Sequence, residues 1–396
     1  MTFNFQILLK KRNIIIIWIL AGLITAVKQY FLGETNSHIN NYIIFKTSFY
    51  HLLDHLNLYL EHPKDCLGLY LYGPIFAILI APFSILPTLL GYALWNVFNA
   101  GILLYAIYQL PISDKDRALV SWISLNCLIT SLLNSQFHPI CVALIILSYT
   151  FIHKKQFFWA AFFLVLGVSI KLYGIVGLAF FFFVDEKLKY ILYSVFWSIV
   201  LFTLPMIFVG IDYIFQCYVD WYQVLVAKNL ENTMILNTRT DVCVMGMFRR
   251  LFHNQTLSNL YFIIPGMLIF ALSYIRFSQF NNIVFQLRIL ASALLFIILA
   301  STGSESPTII IGFVGVAIWY LLSEKTTLDK VILWFALIIS SFSPTDVFPS
   351  YIREEYINQY ALMVLPLIFV WLKLNWDIAS ANFNYRKNNN LDSVIN

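Results

Sequence analysis

Residues 13–32 read Asn13-Ile14-Ile15-Ile16-Ile17-Trp18-Ile19-Leu20-Ala21-Gly22-Leu23-Ile24-Thr25-Ala26-Val27-Lys28-Gln29-Tyr30-Phe31-Leu32. A helix that crosses a bilayer needs about 20 largely apolar residues, and this run supplies them. Lys10, Lys11 and Arg12 precede it, as they would in a signal peptide, but no small-residue cleavage site interrupts it. It therefore reads as a retained first span.

The rest of the chain repeats the pattern. Of 396 residues, 60% are hydrophobic and 11% charged, against about 25% charged in a soluble domain, so the polar residues are too few to cover a water-soluble globule. The 36 Phe, 23 Tyr and 10 Trp suit a lipid-facing exterior with aromatic anchoring at its borders. The reading is an all-α polytopic membrane protein of about twelve transmembrane helices. They are placed near 13–32, 89–110, 117–134, 138–153, 157–170, 172–184, 189–211, 258–276, 285–302, 306–323, 329–343 and 358–376. A single domain is expected over 1–381, followed by a polar cytoplasmic tail at 382–396. The net charge of +5 is spread over short loops, so it reads as a topology signal rather than a nucleic-acid surface. Five cysteines without a CxxC pair imply neither a disulfide framework nor a metal site.

Short cytoplasmic loops collect Lys and Arg. With a cytoplasmic N-terminus, Lys115, Arg117, Lys154, Lys155, Lys187, Lys189, Arg276, Lys325, Lys330 and Lys373 fall on the cytoplasmic side. The opposite connections 134–139 and 301–305 hold no Lys or Arg. The outer face then carries three long loops, 33–88, 212–257 and 344–357. On the same face lie the carboxylates of Glu34, Asp54, Glu61, Asp65, Asp212, Asp220, Glu231, Asp241, Glu305, Asp346, Glu354 and Glu355. The stretch 67–87 is apolar, but Pro74, Pro82 and Pro87 interrupt it, so it is placed as a juxtamembrane helix on the outer face.

Several residues carry chemistry under this topology. Lys171 stands in the apolar run Ser169-Ile170-Lys171-Leu172-Tyr173-Gly174, where insertion of a charge costs about 2.5–3.5 kcal/mol; it reads as a cation for a lipid-linked phosphate or as a side chain snorkelling to the interface. Asn134, Gln136 and His138 mark a polar turn before Pro139, either a ligand-binding turn or a cap. Glu305 and Asp346 stand at helix boundaries, as general bases or as caps. In Asn237-Thr238-Arg239-Thr240-Asp241, Arg239 is a second phosphate candidate and Asp241 a substrate contact. Residues 242–252, ending in Arg249 and Arg250, read as a basic helix lying on lipid head groups. The first outer loop mixes amides, aromatics and acids from Asn41 through Asp54 and Asp65 to Tyr72, as a sugar-binding surface would. Asn134, Gln136, Lys171, Glu305 and Asp346 are expected to line one outer cavity.

Taken in order, the Asn-Tyr-x-x-Phe entry at Asn41, the Tyr70-Leu71-Tyr72-Gly73-Pro74 segment, Leu94-Trp95-Asn96 with Asn99, the turn at 134–136 and the Ile-Lys-x-x-Gly segment around Lys171 resemble glycosyltransferase family 87. These are the mannosyltransferase-like membrane proteins of the GT-C class. The resemblance covers roughly residues 40–374. It implies transfer of a sugar, often mannose, from a polyprenyl-phosphate donor to a glycolipid or glycan acceptor on the outer side, with inversion and without a cofactor or an obligatory divalent ion. For that chemistry Lys171 and Arg239 are the candidates to meet the donor phosphate, and Asn41, Tyr72, Asn134, Gln136, His138 and Asp241 the candidates to bind substrate. Proteins of the family carry an Asp where this chain has Asn41, and an amide is no base. Glu305, Asp346, Asp65 and Asp54 are the substitutes. A flippase of lipid-linked substrates and a non-catalytic subunit of the same fold are the rival readings.

Overall fold

The computed structural model describes residues 9–32, 36–234 and 239–381. Glu34, Asn237, Thr238 and the tail at 382–396 lie outside the described residues. Helices in chain order are α1 Lys11–Phe31, α2 Asn40–Leu53, α3 Pro74–Leu79, α4 Ala81–Ser84, α5 Thr88–Gln109, α6 Asp114–Leu133, α7 His138–His153, α8 Phe157–Ile170 and α9 Lys187–Thr203. They continue as α10 Met206–Val209, α11 Ile211–Asn232, α12 Val244–Leu251, α13 Leu260–Leu272, α14 Ile283–Ala300, α15 Ile309–Leu322, α16 Thr327–Phe335, α17 Ser350–Ile352 and α18 Leu365–Ser380. A 3₁₀ helix, Leu172–Phe183, follows α8, and a π-helical turn, Ala336–Phe342, extends α16. There is no β-strand among the described residues.

Each of the twelve expected spans overlaps helix, in whole or in part. Among the described residues, five helices of 18 or more residues are apolar enough to cross a membrane, and five shorter apolar helices accompany them. The protein is a helical membrane protein. Burial sorts the helices into two groups. α7 and α15 are buried along almost their whole length, and α14 shows only a few half-buried positions. In α9, by contrast, Tyr190 and Leu201 alone are buried, while Leu188, Leu192 and Ile199 are each more than half exposed. An apolar residue exposed at that level is stable only against lipid or another chain, so α9 has the burial of a peripheral helix.

The buried helices form the frame of the site. α14 packs on α15, α15 on α6, and α7 on α5 and α8. α1, the run that opens the chain's apolar pattern, lies along α5.

Two sequence readings change in detail. The stretch 67–87 is an irregular segment followed by two short helices, each with Pro in its first turn. Ile75, Phe76 and Ala77 are buried in the core rather than spread on a surface, because Phe76 packs edge-on against Phe45 and Phe137. The basic helix at 242–252 is corrected more sharply. Arg249 and Arg250 are 1% and 3% exposed, so neither guanidinium reaches lipid head groups. Arg249 pairs with Asp241, and Arg250 donates to the Asn358 carbonyl (2.9 Å) and to the Thr240 carbonyl. The arginines hold the segment between α11 and α13 to the protein, which satisfies their donors inside a buried polar network.

Candidate active site

α8 stops at Ile170 because Lys171 leaves helical geometry for an extended backbone (φ −149°, ψ 129°) before the 3₁₀ helix begins. The break turns the chain back on itself. Gly174 makes that return possible, since a Cβ there would lie 2.4 Å from the Gly167 carbonyl carbon. Gly73 brings a second segment to the same place: its N–H donates to Ile170 O (3.0 Å), and a Cβ would lie 1.9 Å from Ser169 O. Tyr72 and Lys171 are thereby set side by side, with the Lys171 ammonium 5.2 Å from the Tyr72 ring centre and 4.8 Å from that of Tyr173.

Lys171 Nζ lies 3.1 Å from His138 Nε2. An ammonium has only donors, so Nε2 accepts and the imidazole is neutral. His138 opens α7, with Pro139 at the helix's first turn, and Thr308 Oγ1 stands 3.5 Å from the same nitrogen. The ammonium is thus held by a neutral ring and two aromatic faces. No ion pair forms with a carboxylate within 4 Å among the described residues, and Glu305 acts on it from beyond that distance.

Glu305 stands in the connection between α14 and α15. Its backbone opens a 3₁₀ turn, with its N–H donating to Thr308 Oγ1 (3.1 Å). Burial pushes its carboxyl above the ordinary carboxylate range, while Lys171, Lys228 and Arg239 pull it back. A carboxylate in that state is a better proton acceptor than a solvated one.

These groups line one cavity of about 330 Å³, within the usual size of small-molecule sites. Five pieces of chain build most of it. The start of α2 supplies Asn41, the following segment Tyr72, the α6–α7 turn Gln136 and His138, and the 171–173 and 301–305 breaks Lys171 and Glu305. The sixth is α11, through Trp221, Leu225, Lys228, Asn229 and Asn232. Trp221 Nε1 ties it to Leu71 O (3.2 Å), and Asn229 Oδ1 accepts from Thr302 Oγ1 (2.6 Å).

The remaining candidates fall elsewhere. Asn134 caps α6 through its own side chain, which donates to Thr130 O (2.8 Å), and gives its backbone carbonyl to Asn41 Nδ2 (2.9 Å). Asp346 is 96% exposed beside Arg353. Asp54 is exposed at the end of α2. Asp65 hydrogen-bonds His51. Asp241 is consumed by Arg249, whose Nε and Nη2 donate to both carboxylate oxygens at 2.7–2.9 Å. Its backbone still braces the site, because the Asp241 and Val242 N–H groups donate to Thr302 O and Ser304 O (both 2.9 Å). Arg239 is exposed, and its charge reaches both Glu305 and Glu354.

Reading the sequence missed the α11 wall. Positions 221, 225, 228, 229 and 232 recur at the helical period, so a moment of mixed apolar and amide residues was legible there. Nothing in the chain marked it as facing Lys171.

The profile of glycosyltransferase family 87 matches residues 70–344, well over half of the chain. The chain belongs to that family. The family indicates a glycosyltransferase, and the matched range contains Tyr72, Gln136, His138, Lys171, α11 and Glu305, though not Asn41. No curated protein matches the chain.

Proposed function

We propose that the cavity transfers a hexose, mannose in the first instance, from a polyprenyl-phosphate donor to a hydroxyl of a glycolipid or glycan acceptor, with inversion. The observation that carries this reading is the arrangement of the Lys171 ammonium and the Glu305 carboxylate on a single cavity without a direct ion pair between them, while the cavity's other ammonium, Lys228, is paired with Glu231. Lys171 is the cation for the donor phosphate. Glu305 is the base, since of Glu305, Asp346, Asp65 and Asp54 it alone lines the cavity. Glu305 takes the acceptor hydroxyl's proton as that oxygen bonds to the anomeric carbon. The carbon–phosphate-oxygen bond breaks on the opposite face, and its electron pair leaves on the lipid phosphate, where the Lys171 charge stabilises it. Asn41, Gln136, Asn229 and Asn232 are placed to hydrogen-bond sugar hydroxyls. Arg239, at the border of the second outer loop, is the reserve phosphate contact, and Asn134 and Asp241 act through the walls they brace.

The multi-pass chain belongs, on this reading, to a bacterial plasma membrane, and the distribution of Lys and Arg supports both termini being cytoplasmic with the cavity opening outward. One observation favours a second reading, a non-catalytic subunit. Asn41 lines the cavity where the family's acid is expected, and its amide is engaged by the Asn134 carbonyl. Purified protein incubated with polyprenyl-phosphate sugars and a membrane glycolipid extract separates the two. Transfer by the wild type that is lost in Glu305→Gln supports catalysis. Transfer undiminished in that variant removes Glu305 as base, and no transfer from any donor favours the subunit.

A further inference from the structure

We propose that His51, His62 and Asp65 form a zinc site that clips the first outer loop, separate from the cavity and independent of the reading above. One ligand atom from each lies within 4.8 Å of the others. Tetrahedral zinc with bonds of about 2.0–2.2 Å wants its ligand atoms about 3.3 Å apart, a gap that small side-chain rotations close.

The chain converges on this place from two directions. His51 is on the last turn of α2, with its ring buried. His62 and Asp65 share one tight turn, in which the Asp65 and Cys66 N–H groups both donate to His62 O (2.9 and 3.0 Å). His51 Nε2 lies 3.0 Å from Asp65 Oδ2. A simple His–Asp hydrogen bond accounts for those two groups but not for the third. The His62 ring stands 4.0 Å, centre to centre, from that of His51, tilted by 35°.

His62 is also pre-set as a ligand. Its Nε2 lies 2.8 Å from the Asn57 carbonyl. A carbonyl only accepts, so Nε2 carries the hydrogen and Nδ1 holds the lone pair of the neutral ring. A backbone carbonyl that orients an imidazole through its far nitrogen is the usual support of a metal-bound histidine. Two imidazoles and one carboxylate suit zinc rather than magnesium or calcium, which take oxygen ligands. Asp65, with its side chain 48% exposed, leaves the fourth position to solvent.

The ion's effect would be on loop order. Residues 54–73 contain no helix, and the five cysteines are all free, so no covalent link shortens this segment. Tyr59 Oη from it donates to Tyr72 O (3.1 Å), and Asn57 Nδ2 to Asp220 Oδ2 of α11 (2.9 Å). A clip at 51–62–65 would hold both contacts behind the cavity wall.

The full chain, freed of any affinity tag and treated with chelator in detergent, is titrated with Co²⁺ and Zn²⁺. Expected are the visible absorption of tetrahedral cobalt, one zinc per chain, and a rise in melting temperature with zinc. His62→Gln and Asp65→Asn each weaken binding at least about tenfold, while His55→Gln, whose ring is held by the Val209 carbonyl, leaves it unchanged. Wild type that binds zinc no more tightly than the His62→Gln/Asp65→Asn double variant overturns the proposal. If the double variant fails to fold, absence of the tetrahedral cobalt band in the wild type overturns it by itself.

Discussion

Two acid–base pairs meet the 301–305 connection, and they are built in opposite ways. At Asp241–Arg249 the side chains are 4% and 2% exposed and every charge is matched: three N–H to carboxylate contacts, with Arg249 Nη1 also donating to Leu257 O (2.7 Å) and Asn259 Oδ1 (3.0 Å). At Lys171–Glu305 the two charges face one cavity and influence each other without touching, and the ammonium rests on His138, Tyr72 and Tyr173. A saturated buried pair has nothing left to offer a ligand, and removing one member strands the other. Charges held apart, on rings and neutral nitrogens, keep their interaction capacity for whatever enters between them. The difference leaves Asp241–Arg249 holding the 240–259 segment together and Lys171–Glu305 open to a ligand, as the proposed transfer requires.

The contrast breaks most visibly at the base. Glu305→Gln keeps size and polarity but cannot accept a proton, so kcat/KM for sugar transfer falls by about 10²–10⁴, with the melting temperature unchanged. Lys171→Met removes the cation and lowers transfer by about 10²–10³, at stability equal to or above the wild type, because no buried partner is stranded. Near-normal transfer by the Met variant would move the phosphate contact to Arg239. On the other side of the comparison, Arg249→Met leaves Asp241 charged and buried. Denaturation should show a loss of about 3–5 kcal/mol, with activity per folded molecule retained once the protein is rescued by lower temperature.

The pH dependence sharpens the same point. Glu305 titrates above the ordinary carboxylate range because of burial. Below its pKa it is protonated and inactive as a base, so kcat/KM should rise with pH and level off at an inflection higher than a solvated carboxylate would give. Glu305→Gln should abolish that limb, and a profile with an inflection in the ordinary range would deny Glu305 the role. The smallest effect belongs to Asp346. It is almost wholly exposed with Arg353 at 3.8 Å, so Asp346→Asn should change stability by less than about 0.5 kcal/mol and leave transfer within experimental error.

How far the site was legible varies residue by residue. Lys171 announced itself because an ammonium in an apolar run is costly wherever the chain places it, and Glu305 by its position beside Pro307 at a helix boundary. Asp346 had nearly the same local signature as Glu305. What separates them is burial, which depends on segments remote in sequence: α11 faces Glu305 across the cavity, and Asp241 and Val242 bind the backbone just before it, whereas Asp346 is almost wholly exposed. Arg249 and Arg250 read as membrane-surface cations because no local pattern shows that Asp241, Leu257 and Asn259, eight to ten residues away, or the distant Asn358 fold back onto them.

The amino-acid sequence by itself determined the apolar helices, though not the more polar α11, because the length and period of an apolar run are local properties enforced by the need to satisfy backbone groups away from water. It also determined the family and the break at Lys171, where a charge and Gly174 interrupt an otherwise continuous run. Only the tertiary structure decided which charges are spent on each other and which face the cavity. Pairing is a matter of a few ångströms between segments, set by close approaches such as Gly73 on Ser169 and Asp241 on Thr302, and Coulomb interaction and desolvation change steeply over that distance.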